Sequence, residues 1–105
     1  MLPHVAAVIP CHNHRQWVVD AMASIASQDY ENKRIVVVDD GSTDGSLDVV
    51  LSSLIRPNLV HPGEWHGFFM NTIVHVLRNE VAAGPSAARN RGIKYAWDAD
   101  RKSVV

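Results

Sequence analysis

The 105-residue sequence lacks several features that would indicate particular classes of protein. Its single cysteine, Cys11, cannot form an internal disulfide, which agrees with a reducing compartment. Ten Lys and Arg residues are balanced by eleven Asp and Glu, which argues against nucleic acid or an anionic membrane surface as the main partner. No apolar run approaches about 18 residues, and the N-terminus lacks the charged and apolar regions of a signal peptide. We therefore expect a cytoplasmic protein without a membrane segment.

The most informative stretch is an apolar run that ends in two acids. Residues 35–38 are Ile-Val-Val-Val, which predicts a strand buried on both faces, as in a parallel sheet between helices. Asp39 and Asp40 follow directly, and Gly-Ser-Thr-Asp-Gly at 41–45 is typical of a tight turn into a helix. Turn formation alone would explain two aspartates at this place, so a functional interpretation depends on their surroundings.

Similar patterns give the other regular elements. The predicted strands are residues 5–9, 34–39 and 73–77, and the predicted helices are residues 15–27, 44–54 and 85–96. This alternation predicts an α/β fold, with a Rossmann-like, parallel three-stranded sheet and flanking helices.

Two segments do not fit the alternation. Residues 55–70 contain two prolines and show no clean period, so we predict a loop or a short irregular excursion there. Residues 97–103 resemble a polar linker, and Val104 and Val105 resemble the start of a fourth strand. A three-stranded sheet would be left with an open edge, so we expect the sequence to be a fragment of a larger domain.

The predicted topology brings two loops together. Residues 10–14 follow the first strand, and residues 39–45 end the second. Because the C-terminal ends of parallel strands share one edge of the sheet, both loops should face a common crevice, where open α/β sheets bind ligands. We also predict that His12 or Asn13 caps the helix that follows the first loop.

Four segments, in this order, match the motifs of one known family. They are Val8-Ile9-Pro10-x-x-Asn13, Ser24-Ile25-x-x-Gln28, Val36-Val37-Val38-Asp39-Asp40-Gly41-Ser42-Thr43-Asp44-Gly45 and Gly84-x-Ser86-x-Ala88-Arg89-Asn90-x-Gly92-Ile93. Together they closely resemble the family-two inverting glycosyltransferases with the GT-A fold, and they span nearly the whole chain. The sequence departs from the family in one loop, where His12 stands in place of the usual aromatic residue.

This resemblance implies a nucleotide-diphosphosugar donor, typically a UDP-sugar, and transfer to an acceptor hydroxyl with inversion. Residues 1–105 would form the N-terminal nucleotide-sugar-binding portion of a GT-A domain. By matched position, the nucleotide-sugar site would contain Pro10, Cys11, His12, Asn13, Asp39, Asp40 and Arg89. Asp40 would accept a hydrogen bond from the uracil imide N–H, and Arg89 would lie toward the diphosphate. The residue types agree with these roles, because an ionised carboxylate only accepts hydrogen bonds and arginine suits phosphate oxygens.

The resemblance also implies a divalent metal, Mg²⁺ or Mn²⁺, held by an Asp-x-Asp motif, and a catalytic base that activates the acceptor. Both are expected beyond Val105, so we predict that residues 1–105 alone bind no metal and transfer no sugar. Asp98 and Asp100 have the spacing of the motif but follow no predicted strand, and we interpret them as a solvated turn. The acceptor, whether saccharide, lipid or protein, is left open.

Other candidate sites are weaker. His12 with His14, and His61 with His66, could ligate a metal, but no carboxylate or cysteine completes either set. Cys11 as a nucleophile would have only its neighbouring histidines as a base.

The sequence leaves two alternatives to the glycosyltransferase. A non-catalytic nucleotide-binding or interaction module that keeps the same half-fold stays open. A dinucleotide-binding or receiver-like domain is disfavoured, because no Gly-x-Gly-x-x-Gly follows the first strand and no lone aspartate ends the third.

Overall fold

The computed structural model describes residues 5–100 and 103–104 of the chain. Its elements follow in the order β1 Val5–Cys11, α1 Val18–Ala26, β2 Lys33–Asp40, α2 Ser46–Ser53, β3 Ile55–His61, β4 Glu64–Phe69, β5 Thr72–Asn79, α3 Pro85–Asp100 and β6 Ser103–Val104. No helix in this described part is long and apolar enough to cross a membrane.

The strands form one mixed sheet in the order β3-β4-β5-β2-β1-β6. β1 pairs in parallel with β2 and β6, and β2 pairs in parallel with β5, which confirms the three predicted parallel strands. In the register of the sheet, Asp39 lies between Cys11 and Arg78, and Asp40 lies opposite Asn79. The C-terminal ends of β1, β2 and β5 are therefore level at one edge of the sheet.

The prediction of a loop or irregular excursion at residues 55–70 is wrong, because this segment forms the antiparallel strands β3 and β4. Pro62 and Gly63 make the turn between them, with Gly63 at a φ of 76° that glycine tolerates. Met70 and Asn71 then join β4 to β5, and both have the positive φ of a two-residue hairpin turn. Pro57 is tolerated because β3 is the outermost described strand of the sheet.

The continuous apolar run of β2 contributes side chains to two hydrophobic cores, one on each face of the sheet. Ile35 and Val37 face α1 and α2, while Val36 and Val38 face α3. The first core is completed mainly by Val18, Met22, Val50, Val74 and Val76, and the second by Ala6, Leu77, Ala88 and Ala96. Burial on both faces explains why the run shows no polar alternation.

The predicted linker after residue 96 is also wrong in part, because α3 continues to Asp100. Asp98 therefore lies exposed on a helix rather than in a solvated turn. The segment contains no glycine or proline that would end the helix earlier. The expected fourth strand is present as β6, in which Val104 pairs with Ala6 of β1, whereas Val105 lies outside the described residues.

Candidate functional site

The loops after β1 and β2 are tied together by hydrogen bonds. The Asn13 N–H donates to the Ser42 hydroxyl at 3.0 Å, and the Thr43 N–H donates to the Asn13 side-chain oxygen at 2.8 Å. The Arg15 N–H donates to an Asp44 carboxylate oxygen at 3.1 Å. Asn13 has a φ of 55°, a conformation that asparagine tolerates better than most residues. The two loops thus form one hydrogen-bonded unit, and they lie at the same edge of the sheet, as the sequence predicted.

The predicted cap of α1 is wrong, because α1 begins after Trp17 without a side-chain cap. The backbone carbonyl of His14 instead accepts from the N–H groups of Trp17 and Val18. The side chain of Asn13 is engaged with the second loop, so it cannot serve the helix. At α2, Asp44 accepts from the Ser46 N–H at 2.9 Å and from the Ser46 hydroxyl, and this hydroxyl contact lowers the pKa of Asp44.

Asp40 points toward α3 and is almost fully buried, with 2% of its surface exposed. Its Oδ1 accepts from Ala83 N–H and from the Asn79 amide, both at 2.9 Å, and its Oδ2 accepts from Gly84 N–H at 2.9 Å. The hydrogen bond from Ala83 N–H has the largest effect on the pKa of the Asp40 carboxyl and lowers it. The hydrogen bond from the Asn79 amide, the next largest, lowers it further. Since a carboxylate oxygen can accept two hydrogen bonds, Oδ1 is fully used and Oδ2 retains one acceptor position.

Asp39 points to the opposite face of the sheet, beside Cys11. Its Oδ2 accepts from the Ser42 N–H at 3.3 Å, and its Oδ1 is buried without a hydrogen-bond partner among the described residues. Burial raises the pKa of the Cys11 thiol, and the nearby Asp39 charge raises it further. A thiol that is only 1% exposed and keeps its proton is a poor nucleophile, so the structure gives no support to a catalytic Cys11.

A cavity of about 130 Å³ lies between the first loop, Asp40 and the start of α3. It is lined by Pro10, Cys11, His12, His14, Asp40, Pro85 and Ala88. A second, apolar cleft of about 300 Å³ shares Pro10, Cys11 and His14 with it and extends along α1. Four of the seven sequence-predicted site residues therefore line one cavity, and two of these four, Pro10 and Cys11, also line the neighbouring cleft.

The His12 ring is fixed at the mouth of this cavity. Its Nδ1 donates to the backbone carbonyl of Asp40 at 2.7 Å, which assigns the Nδ1–H tautomer because a carbonyl only accepts. The Asn13 amide lies 3.4 Å from the other ring nitrogen and donates to it. With both nitrogens engaged along the ring edge, the flat face of the imidazole is what His12 can offer to a ligand.

The remaining predicted residue, Arg89, lies on α3 about one turn after Pro85, which lines the cavity. Its side chain is exposed, and so are the neighbouring first-turn residues Ser86 and Ala87. The first N–H groups of a helix have no intrahelical partner and favour anions. A cationic side chain and a helix N-terminus thus lie together beside the cavity.

Sequence reasoning missed Asn79, Ala83 and Gly84, which together determine the state of Asp40. No sequence motif marks these residues, because their contacts with Asp40 depend on where the fold places them. Asn79 reaches Asp40 only because β5 pairs with β2 in this register, and the amides of Ala83 and Gly84 reach it through the fold of the loop before α3.

No three His, Cys, Asp or Glu side chains lie close enough to hold a metal ion in the part of the chain that the structure describes. His66 is engaged differently from a metal ligand, since its Nε2 lies 2.9 Å from a Glu64 carboxylate oxygen and 2.8 Å from the Tyr95 hydroxyl. The described residues therefore do not by themselves supply a metal site.

Comparison with known proteins gives this site a family context. Residues 6–98 match the profile of glycosyl transferase family 2. The chain is 30% identical over 92 residues to the glycosyltransferase GlyG of Streptococcus pneumoniae serotype 4, covering 88% of this chain and 26% of GlyG. It is 28% identical over 92 residues to the Escherichia coli protein WfgD, a UDP-Glc:α-D-GlcNAc-diphosphoundecaprenol β-1,3-glucosyltransferase, covering 88% of this chain and 30% of WfgD.

The fold is similar to that of a solved glycosyltransferase. The mannosyltransferase PcManGT of Pyrobaculum calidifontis, solved in complex with GDP-Man and Mn²⁺, matches with a TM-score of 0.68 and 22% identity. This match covers 90% of the present chain and 25% of PcManGT, so the chain spans only about a quarter to a third of these three relatives. Because the family profile extends over most of the sequence and the fold agrees with it, the chain belongs to glycosyl transferase family 2.

Proposed function

We propose that this chain is the nucleotide-binding part of an enzyme that transfers a sugar from a nucleotide-diphosphosugar, specifically a UDP-sugar, to an acceptor hydroxyl with inversion. Family membership supports sugar transfer in general, and WfgD, whose name includes UDP-Glc, is a relative that supports the choice of donor. A cytoplasmic location stays a prediction from the sequence. The residues of the cavity support a specific mode of nucleoside binding.

Asp40 is the observation that carries this proposal. It is buried, its pKa is lowered, its Oδ2 keeps one acceptor position, and the residue lines the cavity between the first loop and the start of α3. Such a group selects a base edge that offers an N–H donor, and the imide N–H of uracil is one. The face of His12 would pack against the base, while Pro10 and Cys11 would provide backbone contacts. Asn13 would hold the two loops in place.

The diphosphate would extend from the nucleoside toward the N-terminus of α3 and Arg89. Phosphate oxygens suit both an arginine side chain and the unpaired N–H groups of a first helical turn. Asp39 would support the turn after β2 from the opposite face of the sheet.

A divalent cation, Mg²⁺ or Mn²⁺, would neutralise the diphosphate charge in the intact enzyme. PcManGT was solved with Mn²⁺, but the described residues of the present chain hold no cluster of three potential ligands. The nucleoside contacts proposed above need no metal. Residues 1–105 alone are accordingly proposed to bind nucleotide without transferring sugar.

The proposal is tested by titrating uridine diphosphate into the 105-residue chain and following backbone amide shifts by NMR. Without a cation bridge we expect millimolar binding, or about 4 kcal/mol. In Asp40→Asn, the two donors at the Oδ1 side should hold the amide oxygen there, so that the NH₂ group takes the place of Oδ2, loses the hydrogen bond from Gly84 N–H and offers the base a donor instead of an acceptor. Uridine diphosphate should then bind about tenfold more weakly or worse, since a charge-assisted hydrogen bond contributes about 1.5–3 kcal/mol.

Two controls make this test specific. Cytidine diphosphate, whose ring nitrogen accepts where uracil donates, should bind Asp40→Asn better than it binds the parent protein. Asp98→Asn changes an exposed carboxylate on α3 and should leave both affinities unchanged. Equal uridine affinity in the parent and in Asp40→Asn would show that the base does not lie at Asp40.

A further inference from the structure

The outer edge of the sheet is formed by β3, and this edge has features that attract a further strand. Of the described strands, only β4 lies beside β3, and all seven residues of β3 are exposed. Ile55 and Leu59 have 61% and 59% of their surfaces open to solvent. An open row of backbone N–H and C=O groups beside exposed apolar side chains is a template for pairing with another chain.

The pairing of β3 with β4 is irregular near both ends of β3. The paired residues are Ile55 with Phe68, Asn58 with His66, Leu59 with Trp65, and His61 with Glu64. β3 therefore has one residue more than β4 between the first two pairs, and again between the last two, which is the pattern of a β-bulge. Only Asn58 and Leu59 are left in regular register, whereas strands usually contain at least about three residues.

The first bulge is built from two residues that do not suit strand pairing. Arg56 has a φ of 54°, which takes its backbone out of the extended conformation. Pro57 has no N–H and cannot donate to a strand on either side. A strand laid along β3 would meet a bent backbone, a missing donor and the charge of Arg56. In a symmetric pair of copies, in which each offers the same strand, each of these obstacles occurs twice.

We infer that the bulge at Arg56 and Pro57 closes this edge of the sheet to strand addition and so prevents a second copy of the chain from pairing along β3. The proposed nucleotide site is built from the loops after β1 and β2 and from α3, so this inference does not depend on it. It explains how a strand with exposed apolar side chains can end the sheet without extending it into a neighbouring molecule.

The alternative is that the bulge only absorbs a surplus residue between α2 and the turn at Pro62 and Gly63. A variant with a regular β3 would then differ from the parent in stability but would remain a monomer. If the bulge closes the edge, the same variant associates. The mass of the protein in solution therefore separates the two roles.

The experiment measures this mass by sedimentation equilibrium at increasing concentrations of the 105-residue chain. A variant that lacks Pro57 has no surplus residue, so Ile55 and Asn58 should come two steps apart, as Phe68 and His66 are. The parent should remain at the monomer mass of 11.6 kDa, whereas the deletion variant should approach twice this mass. Pro57→Thr restores only the missing N–H, and it should associate at higher concentrations than the deletion variant does.

Two controls locate the association at this edge. Pro62→Thr changes a proline in the turn of the same hairpin and should remain a monomer. Leu59→Lys, added to the deletion variant, places a charge on the edge strand and should return that variant to the monomer mass.

Two results would refute the inference. A parent that dimerises, and that becomes a monomer on Leu59→Lys, would show that the edge is open despite the bulge. A deletion variant and a Pro57→Thr variant that both remain monomers would show that the bulge only absorbs a residue. If circular dichroism shows that the deletion variant does not fold, the comparison of Pro57→Thr with the parent decides between the two roles.

Discussion

Replacing Gly92 by alanine is expected to destabilise the protein, although alanine is the better helix former. Gly92 lies in the middle of α3 where the helix crosses the sheet. A Cβ atom at this position would lie 2.4 Å from Cγ1 of Val8 and 3.0 Å from Cγ2 of Val38. Both valines are short, stiff side chains of strands, so neither can move away without displacing the sheet or the helix.

Two opposing terms set the size of the effect. Alanine in place of glycine inside a helix gains about 1 kcal/mol of propensity. Overfilling a packed interface typically costs about 1–3 kcal/mol, and the contact with Val8 is far inside van der Waals distance, which favours the upper part of that range. We therefore expect a net loss of about 1–2 kcal/mol in the free energy of unfolding. Each 1 kcal/mol lowers the Tm by roughly 4–8 °C in a domain of about this size.

Urea unfolding followed by circular dichroism measures this effect, and two comparisons isolate its cause. Lys94→Ala and Lys94→Gly compare the same two residues at an exposed position of α3, where alanine should be the more stable. In a Val8→Ala background, Gly92→Ala should cost at least about 0.5 kcal/mol less than it does alone, because the closest contact is gone. A Gly92→Ala variant more stable than the parent would show that α3 does not approach the sheet this closely.

Two further predictions concern Asp40 and Cys11. Because its folded-state pKa is lowered, Asp40 stabilises the protein above its unfolded pKa of about 3.9, and this contribution is lost as the pH falls through the folded value. Between about pH 5 and about pH 3, the parent should therefore lose more stability than Asp40→Asn in urea titrations; equal losses would contradict the assignment. Cys11, buried and with a raised pKa, should react with an aromatic disulfide reagent much more slowly in the folded protein than in denaturant, and rapid labelling of the folded protein would show that the thiol is accessible.

The hairpin of β3 and β4 shows where sequence reasoning failed. Pro57 and Pro62 break the alternation that identifies a strand, and the turn at Met70 and Asn71 uses two positive φ values without a glycine. The strands nevertheless form, because the whole of β4 pairs with β5 and places Trp65 and Phe69 against the first core. Tertiary contact thus overrides a local pattern that favours a loop.

The candidate site was also only partly predictable from the sequence. From the sequence, Pro10, His12 and Asp40 could be assigned to one crevice, because parallel strands bring their C-terminal loops to the same edge. The direction in which each acid points, and the donors it meets, could not be assigned. Asp39 and Asp40 differ in both respects although they are adjacent.

The sequence by itself determined the parallel α/β core, the acidic edge between two loops and the resemblance to a glycosyltransferase family, because these depend on local patterns and on short motifs. The tertiary structure alone decided that Oδ1 of Asp40 is occupied by Asn79 and Ala83 and that Gly92 must lack a side chain. These features depend on the register of β2 with β5 and on the distance between α3 and the sheet. Both arise from packing between residues far apart in the chain, which no local pattern encodes.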